Sequence, residues 1–287
     1  MTELRSPDGV LLVDKPAGLS SHAVVDRIRR ALGTRRIGHG GTLDPFATGL
    51  LVLLLGRATR LLPHLEHDPK VYRANIRFGT ATSTDDATGE TVSEAPLPLA
   101  TDVDSAMAAM TGHLLQRPPA YSAKQVGGVR AYKAARRGRP LVLEPVSVHV
   151  HAWKTLARAG ADLEVEITCG PGTYVRALAR DLGEAASSAA HLTSLRRLRS
   201  GPFDVGAAQV LDDITASSAR VLPPSAAVSH LKQQVLDDLD ARRIVHGQMI
   251  PATIDGSRAA LSHQGELLAV ADREEANWRP RVVLRDA

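Results

Sequence analysis

The apolar positions fall into short runs punctuated by glycine and proline. Val10 to Val13 is continuous, bounded by Gly9 and by Asp14, with Pro16 and Gly18 beyond, and predicts a short buried strand. The period then changes. Ala23, Val24, Ile28 and Ala31 recur at helical spacing behind Ser20 and Ser21, either of which can cap a helix running to about Leu32, where Gly33 is the stop. Arg27 and Arg30 lie on its other faces. Leu50 to Leu55 is a second buried strand, followed by a short helix near Arg57 to Leu65. Lys70 to Phe78 alternates cleanly, with Tyr72, Ala74, Ile76 and Phe78 on one face and Val71, Arg73, Asn75 and Arg77 on the other, the pattern of a half-buried strand.

The middle and end of the chain follow the same logic. Thr80 to Gly89 is a polar turn and Ala95 to Ala100 a proline-rich linker. Asp102 to Met110 predicts a helix on Val103, Ala106, Met107 and Met110. Val146 to Leu156 and Leu163 to Cys169 predict paired strands. Thr173 is placed to cap a helix reaching about Ala186, with Val175, Leu178 and Leu182 inward. Leu192, Leu195 and Leu198 sit at helical spacing, so the pattern alone predicts helix there. Pro223-Pro224 marks a linker. Beyond it Asp237 to Gly247 reads as helix, and Arg258 to Val270 and Arg281 to Leu284 as short strands around Gly265.

One stretch does not belong to this packing pattern. Gly38, Gly40 and Gly41 lie just ahead of Asp44-Pro45, at the mouth of the Leu50–Leu55 strand. Glycines permit tight turns and close approach of a ligand to the backbone. Pro45 keeps Asp44 out of the helical region. The result is a carboxylate on a stiff loop, either a turn residue bonded to its own backbone or a reactive group.

Charge sharpens the picture. The formal net charge is only +4, but the basic residues are almost all arginine, with lysine confined to positions 15, 70, 124, 133, 154 and 232. Arginine suits planar contacts to phosphate and base edges. Clusters occur at Arg27/Arg29/Arg30/Arg35/Arg36, at Arg130/Lys133/Arg136/Arg137/Arg139 and at Arg196/Arg197/Arg199. Lys15 and Arg35-Arg36 flank the glycine-rich stretch, as surface decoration or as phosphate contacts. Residues 116–140 form a long basic stretch broken by glycine, with Tyr121 and Tyr132 interleaved. Its composition is that of a functional loop rather than a packed element. Cys169 is alone, so no intrachain disulfide forms, which fits a reducing compartment. The longest apolar run is far too short for a bilayer span of about 20 residues, and Met1 to Gly9 lacks an apolar signal core. A soluble, cytoplasmic protein is expected. The His64/His67 and His149/His151 pairs have no third ligand in the sequence, and no phosphate-binding P-loop is present.

The block from Gly38 to Leu51, Gly-His-Gly-Gly-Thr-Leu-Asp-Pro-Phe-Ala-Thr-Gly-Leu-Leu, resembles the motif of the TruB family of pseudouridine synthases. The likeness recurs, in the family's order, at Asp14-Lys15-Pro16-Ala17-Gly18, Lys70-Val71-Tyr72-Arg73, Arg117-Pro118-Pro119-Ala120-Tyr121-Ser122-Ala123, Gly172-Thr173-Tyr174-Val175-Arg176 and Leu195-Arg196-Arg197-Leu198. Five short motifs in order carry far more than any one of them.

The resemblance implies an α+β fold: a mixed, mainly antiparallel sheet with flanking helices, and a small β-rich C-terminal domain. Residues 1–222 would form the catalytic domain, with a tRNA-gripping insertion at about 117–140, and 223–287 the C-terminal domain that helps to hold the acceptor-stem side. At Leu195 the family has a strand, against the helix that spacing predicts. The implied activity is conversion of the T-loop uridine of tRNA, position 55 in tRNA numbering, to pseudouridine. No cofactor, metal, guide RNA or obligatory protein partner is implied, and a monomer is expected.

Asp44 would be the catalytic carboxylate, as nucleophile at C1′ or by assisting glycal formation. Arg176 would pair with it, and Asp86 would bracket Arg176. Tyr72 would stack on the base, and Tyr174 and Leu195 would line its pocket. The target base must leave its stack to react, and His39 either fills the gap or hydrogen-bonds locally. Further RNA contacts fall to Lys15, Arg36, Tyr121, Lys124, Arg130, Lys133, Arg136 and Arg137. The alternative function is a non-catalytic tRNA-binding protein or folding chaperone on the same scaffold, which would have no chemical need for Asp44 together with Tyr72 and Arg176.

Overall fold

The computed structural model describes residues 8–122, 124–126, 129–135, 137, 141 and 143–284, with the backbone alone described at 126, 129, 130 and 133. The chain begins with strand β1 (Gly9–Lys15), helix α1 (Ser21–Leu32), β2 (Ile37–His39) and β3 (Thr48–Leu55), then a 3-10 segment at Gly56–His64. Next come β4 (Lys70–Phe78), β5 (Thr80–Thr82), β6 (Thr91–Glu94), α2 (Ala100–Ala109) and β7 (Gly112–Gln116). The insertion holds β8 (Gln125–Val126), β9 (Val129–Arg130) and α3 (Ala131–Ala135). It is followed by β10 (Val146–Ala159), β11 (Asp162–Cys169), α4 (Val175–Ala185) and β12 (Ala190–Ser200). The C-terminal part carries β13 (Phe203–Asp204), β14 (Gln209–Val210), β15 (Val221–Leu222), β16 (Gln233–Val235), α5 (Asp238–Val245), β17 (Ile250–Pro251), β18 (Arg258–His263), β19 (Glu266–Glu274) and β20 (Asn277–Val283).

Two compact units result. The first takes in Met1–Pro45, Gly49–Glu66 and Pro202–Ala287; the second takes in Phe46–Thr48 and His67–Gly201. The expected boundary at 222/223 falls inside the first.

In the first unit β1 lies antiparallel to β3, and β2 pairs with the end of β3. The unbroken apolar run of β3 is explained by burial on both faces. Leu50, Val52 and Leu54 join Val10 and Leu12 against Ala227, Val228, Leu267 and Val270. Leu51, Leu53 and Leu55 join Leu11 and Val13 against Val24, Val25 and Ile28 of α1. Helix α1 starts where Ser20 accepts from Ala23 N and stops at Gly33 in the left-handed region, φ 61°. Its buried stripe is Val24, Val25 and Ile28; Ala23 and Ala31, expected inward, are half-exposed. The C-terminal five strands run in the order β16-β18-β19-β20-β17 around fully buried Trp278, whose Nε1 donates to Gln234 Oε1 at 2.7 Å.

The second unit is an antiparallel sheet, β12-β4-β11-β10-β7. Its apolar face carries Tyr72, Ala74, Ile76, Val165, Ile167 and Leu195; α4 packs on β12 and α2 on α4. Its polar face is laced with charge pairs, Arg73 with Glu164 at 2.7 Å and Arg77 with Asp162 at 2.8 Å.

Three expectations fail here for identifiable reasons. Residues 192–199 are strand, not helix, as the family resemblance implied. Register shifts between Leu192 and Ser194 and between Arg197 and Arg199 mark β-bulges. An extra residue at a bulge turns the inward spacing from two into three, so Leu192 and Leu195 face the same side without a helix. Leu198 is half-exposed, and Arg197, 1% exposed, takes the inward position. Thr173 does not cap α4: its hydroxyl donates to Gly170 O, and Tyr174 is the cap residue. The insertion is not a bare loop, since β8 and β9 pair antiparallel and Ala131, Ala134 and Ala135 are buried. No helix among the described residues is long and apolar enough to cross a membrane.

Candidate active site

The Asp44 loop runs from the end of β2 to the start of β3, and Asp44 is half-exposed on it. Its two chain neighbours are each anchored. Leu43 N donates to Ser21 Oγ at 2.8 Å, and the same hydroxyl donates back to Leu43 O at 3.1 Å. Pro45 O accepts from Gly18 N at 2.8 Å and from Lys15 Nζ at 3.2 Å. Proline at 45 cannot donate a backbone hydrogen bond, so its carbonyl is the only main-chain group there to grip. Immediately after it, Phe46–Thr48 belongs to the second unit, where Thr48 Oγ1 lies 3.5 Å from Leu195 O.

Lys15 is therefore not the RNA contact expected. It is 0% exposed, and its ammonium also donates to Pro16 O at 2.9 Å and Leu19 O at 2.7 Å. A buried ammonium is tolerated only with such partners; here they tie the loop after β1 to the loop carrying Asp44. Arg36 is exposed just before β2, and His39 is half-buried at its end.

In the second unit the start of α4 gathers the other predicted residues. The Arg176 side chain is 4% exposed and faces the 84–86 turn and the segment leading into the insertion. Nη1 donates to Thr84 O at 2.9 Å and lies 3.6 Å from Asp86 Oδ2; Nη2 donates to Tyr121 O at 2.9 Å. Asp86, 4% exposed, accepts in turn from Thr84 Oγ1 at 2.7 Å, from Thr88 N at 3.0 Å and from Thr88 Oγ1. Asp86 thus stands against one side of the Arg176 guanidinium. Asp181, farther along the same helix, accepts from Arg180.

Tyr72 is buried on β4 opposite Arg197, two positions from Ala74, the partner of Leu195. Tyr72 and Leu195 thus lie on one face of the β4–β12 pair, within diagonal reach. Nearby, burial pulls the Lys70 ammonium below its ordinary value, with the charge of Arg197 acting in the same direction.

Sequence reasoning missed Gln116. Its amide grips both polar groups of the Tyr174 backbone, accepting from Tyr174 N at 2.8 Å and donating to Tyr174 O at 3.2 Å. The only sequence signal was a polar residue directly after Leu114-Leu115. Ser21 and Arg180 were also missed, being unexceptional helix residues in sequence.

In the insertion, Tyr121 and Lys124 are half-buried and Arg137 is exposed. The side chains of Arg130 and Lys133, and all of Arg136, lie outside the described residues.

Comparison with known proteins adds the family. The N-terminal domain of TruB family pseudouridylate synthase matches residues 29–175, and the C-terminal domain of tRNA pseudouridylate synthase B matches residues 176–237. A protein of Thermobifida fusca (strain YX) named tRNA pseudouridine synthase B is 42% identical over 96% of this chain and 98% of its own length. One of Cutibacterium acnes with the same name is 44% identical over 91% and 92%. A chain in the crystal structure of a Cbf5-Nop10-Gar1 complex matches with a TM-score of 0.75 at 25% identity, over 99% of this chain and 87% of that one. Fold, motifs and full-length relatives agree, and the chain belongs to the TruB family of pseudouridylate synthases.

Proposed function

We propose that the protein isomerises the T-loop uridine at position 55 of tRNA to pseudouridine. The base is flipped from its stack, its N1–C1′ bond breaks, the freed ring turns, C5 joins C1′, the C5 proton is released and N1 takes up a proton. Asp44 is the carboxylate that drives the first step, either by attacking C1′ or by assisting elimination of the base, which leaves the sugar as a glycal. Arg176 is its charge partner. Asp86 fixes Arg176, and Tyr72, Tyr174 and Leu195 hold the loose base.

The observation that carries the proposal is the double anchorage of the Asp44 loop, with Leu43 held by Ser21 and Pro45 by Lys15 and Gly18. A turn aspartate needs no such support, whereas a reacting carboxylate gains rate from being held in place beforehand. The full-length likeness to relatives named tRNA pseudouridine synthase B supports tRNA as the substrate. RNA contacts are assigned to Arg36, His39, Tyr121, Lys124, Arg130, Lys133, Arg136 and Arg137, with His39 filling the gap left by the flipped base. RNA recognition of this kind rests on shape, splayed bases and phosphates.

The test is carbodiimide mapping of an unmodified tRNA transcript after incubation with the protein. A single new pseudouridine at position 55 is expected, lost when that uridine is replaced by cytidine. Binding of the transcript with no pseudouridine formed overturns the proposal and leaves a tRNA-binding protein.

A further inference from the structure

Helix α4 carries a second arginine one turn beyond Arg176. Arg180 Nη1 lies 3.1 Å from Asp85 Oδ2, and Nη2 donates to Arg117 O at 2.9 Å. Its Nε and Nη2 also donate to Asp181 Oδ1, at 2.9 and 2.7 Å. Residues four apart on a helix share a face. Arg176 and Arg180 therefore read the same two segments in parallel. The 84–86 turn gives Thr84 O and Asp86 to Arg176, and Asp85 to Arg180. The segment entering the insertion gives Tyr121 O to Arg176 and Arg117 O to Arg180. Just before it, Gln116 grips Tyr174.

The backbone is arranged for this. Asp85 sits in the left-handed region at φ 59°, a conformation that non-glycine residues adopt rarely and aspartate more readily than most. Adjacent side chains of an extended segment point opposite ways; the left-handed residue lets Asp85 and Asp86 address two arginines on one helix face. Burial pushes the Asp85 carboxyl up from its ordinary value, and Arg180 is the strongest of the groups opposing that rise.

We propose that Arg180 is a positioning residue for the reaction: by holding Asp85 and Arg117 O it fixes both segments that hold the guanidinium of Arg176. This rests on the role of Arg176 as partner of Asp44. It extends that role to a residue that touches neither substrate nor Asp44 and acts only through the two segments. The fork of arginine is required, because one head must reach a carboxylate and a carbonyl on separate segments, which a lysine ammonium does with poorer geometry.

The experiment is single-turnover pseudouridine formation at saturating tRNA, with tRNA dissociation constants measured in parallel, for wild type, Asp44→Asn, Arg180→Gln, Arg180→Lys and Asp85→Asn. The expected result is a loss of roughly tenfold or more in the Arg180→Gln rate, the scale of a small misplacement of a reacting group. Its dissociation constant should stay within about threefold of wild type, and Arg180→Lys should fall between. Arg180→Gln combined with Asp85→Asn removes the charge and its partner together and leaves no orphaned carboxylate from that pair. Its rate should match the slower single variant, which also keeps the inference testable where Arg180→Gln alone folds poorly. An Arg180→Gln rate equal to wild type, or lowered only as tRNA binding weakens, overturns the inference. Wild type without turnover, or Asp44→Asn with full turnover, instead overturns the underlying functional proposal.

Discussion

Ser21 and Leu43 are joined twice through one hydroxyl: Ser21 Oγ accepts from Leu43 N at 2.8 Å and donates to Leu43 O at 3.1 Å. Leu43 immediately precedes Asp44, so a residue in the first turn of α1 sets the backbone that aims the carboxylate. Ser20, not Ser21, caps the helix, which leaves Ser21 with a task unrelated to helix stability. Ser21→Ala should lower kcat roughly tenfold to a hundredfold while KM stays near wild type, because loop geometry rather than RNA grip is lost. Ser21→Thr, which keeps the hydroxyl, should retain most of the activity. Steady-state kinetics on tRNA checks this, and an Ser21→Ala variant with wild-type kcat would show the anchor to be dispensable.

Cys169 should be an inert thiol. Burial pushes it up from 9.0 to about 11, against a hydrogen bond with Thr173 and the nearby Lys70 charge, and it is 0% exposed. At pH 8 the folded protein then holds roughly a hundredfold less thiolate than the unfolded chain, and reactivity follows the thiolate. Titration with an aromatic disulfide should register almost no thiol in the native protein and one per chain after denaturation. Rapid native labelling would contradict the packing at the end of β11.

The C-terminal sheet should carry an acid-sensitive clamp. Asp272 accepts from Arg258 Nε at 2.7 Å and from Arg281 Nε at 2.9 Å. The hydrogen bond from Arg258 is the main cause holding its carboxyl below the ordinary value. A depressed folded-state carboxyl stabilises above its unfolded value of about 3.9, and that contribution is lost as pH falls through the folded value. Asp272→Asn should therefore melt earlier than wild type at pH 7, with the two melting temperatures converging below about pH 4. A gap that persists unchanged into acid would assign the effect to packing rather than charge.

Much of the scaffold was legible in the sequence because its cues were local. Gly33 ends α1, alternation from Tyr72 to Phe78 defines β4, and the Leu50–Leu55 run betrays a strand covered on both faces. The failures involve partners distant in sequence. The bulges of β12 counterfeit a helical period, and only the neighbouring strand reveals them. Lys15 reads as a surface cation until Pro45, thirty residues away, supplies its carbonyl. The β5–β6 hairpin and β7 were missed because Thr91–Glu94 is polar and exposed and Leu115 faces outward, leaving no alternation of apolar and polar residues to detect. Asp86 and Arg176 were singled out by motif resemblance, and their side chains lie 3.6 Å apart. The residues that support the site, Gln116, Ser21 and Arg180, have no motif of their own.

The central claim is that Asp44 performs the chemistry on tRNA. The measurement is tritium release from tRNA labelled at uridine C5, for wild type and Asp44→Asn, with tRNA binding measured on both. Release requires the C5–H bond to break, so it reports the isomerisation and not the grip. Wild type should release label, and Asp44→Asn should bind tRNA with comparable affinity and release none. Near-normal release by Asp44→Asn would contradict the assignment of the catalytic carboxylate.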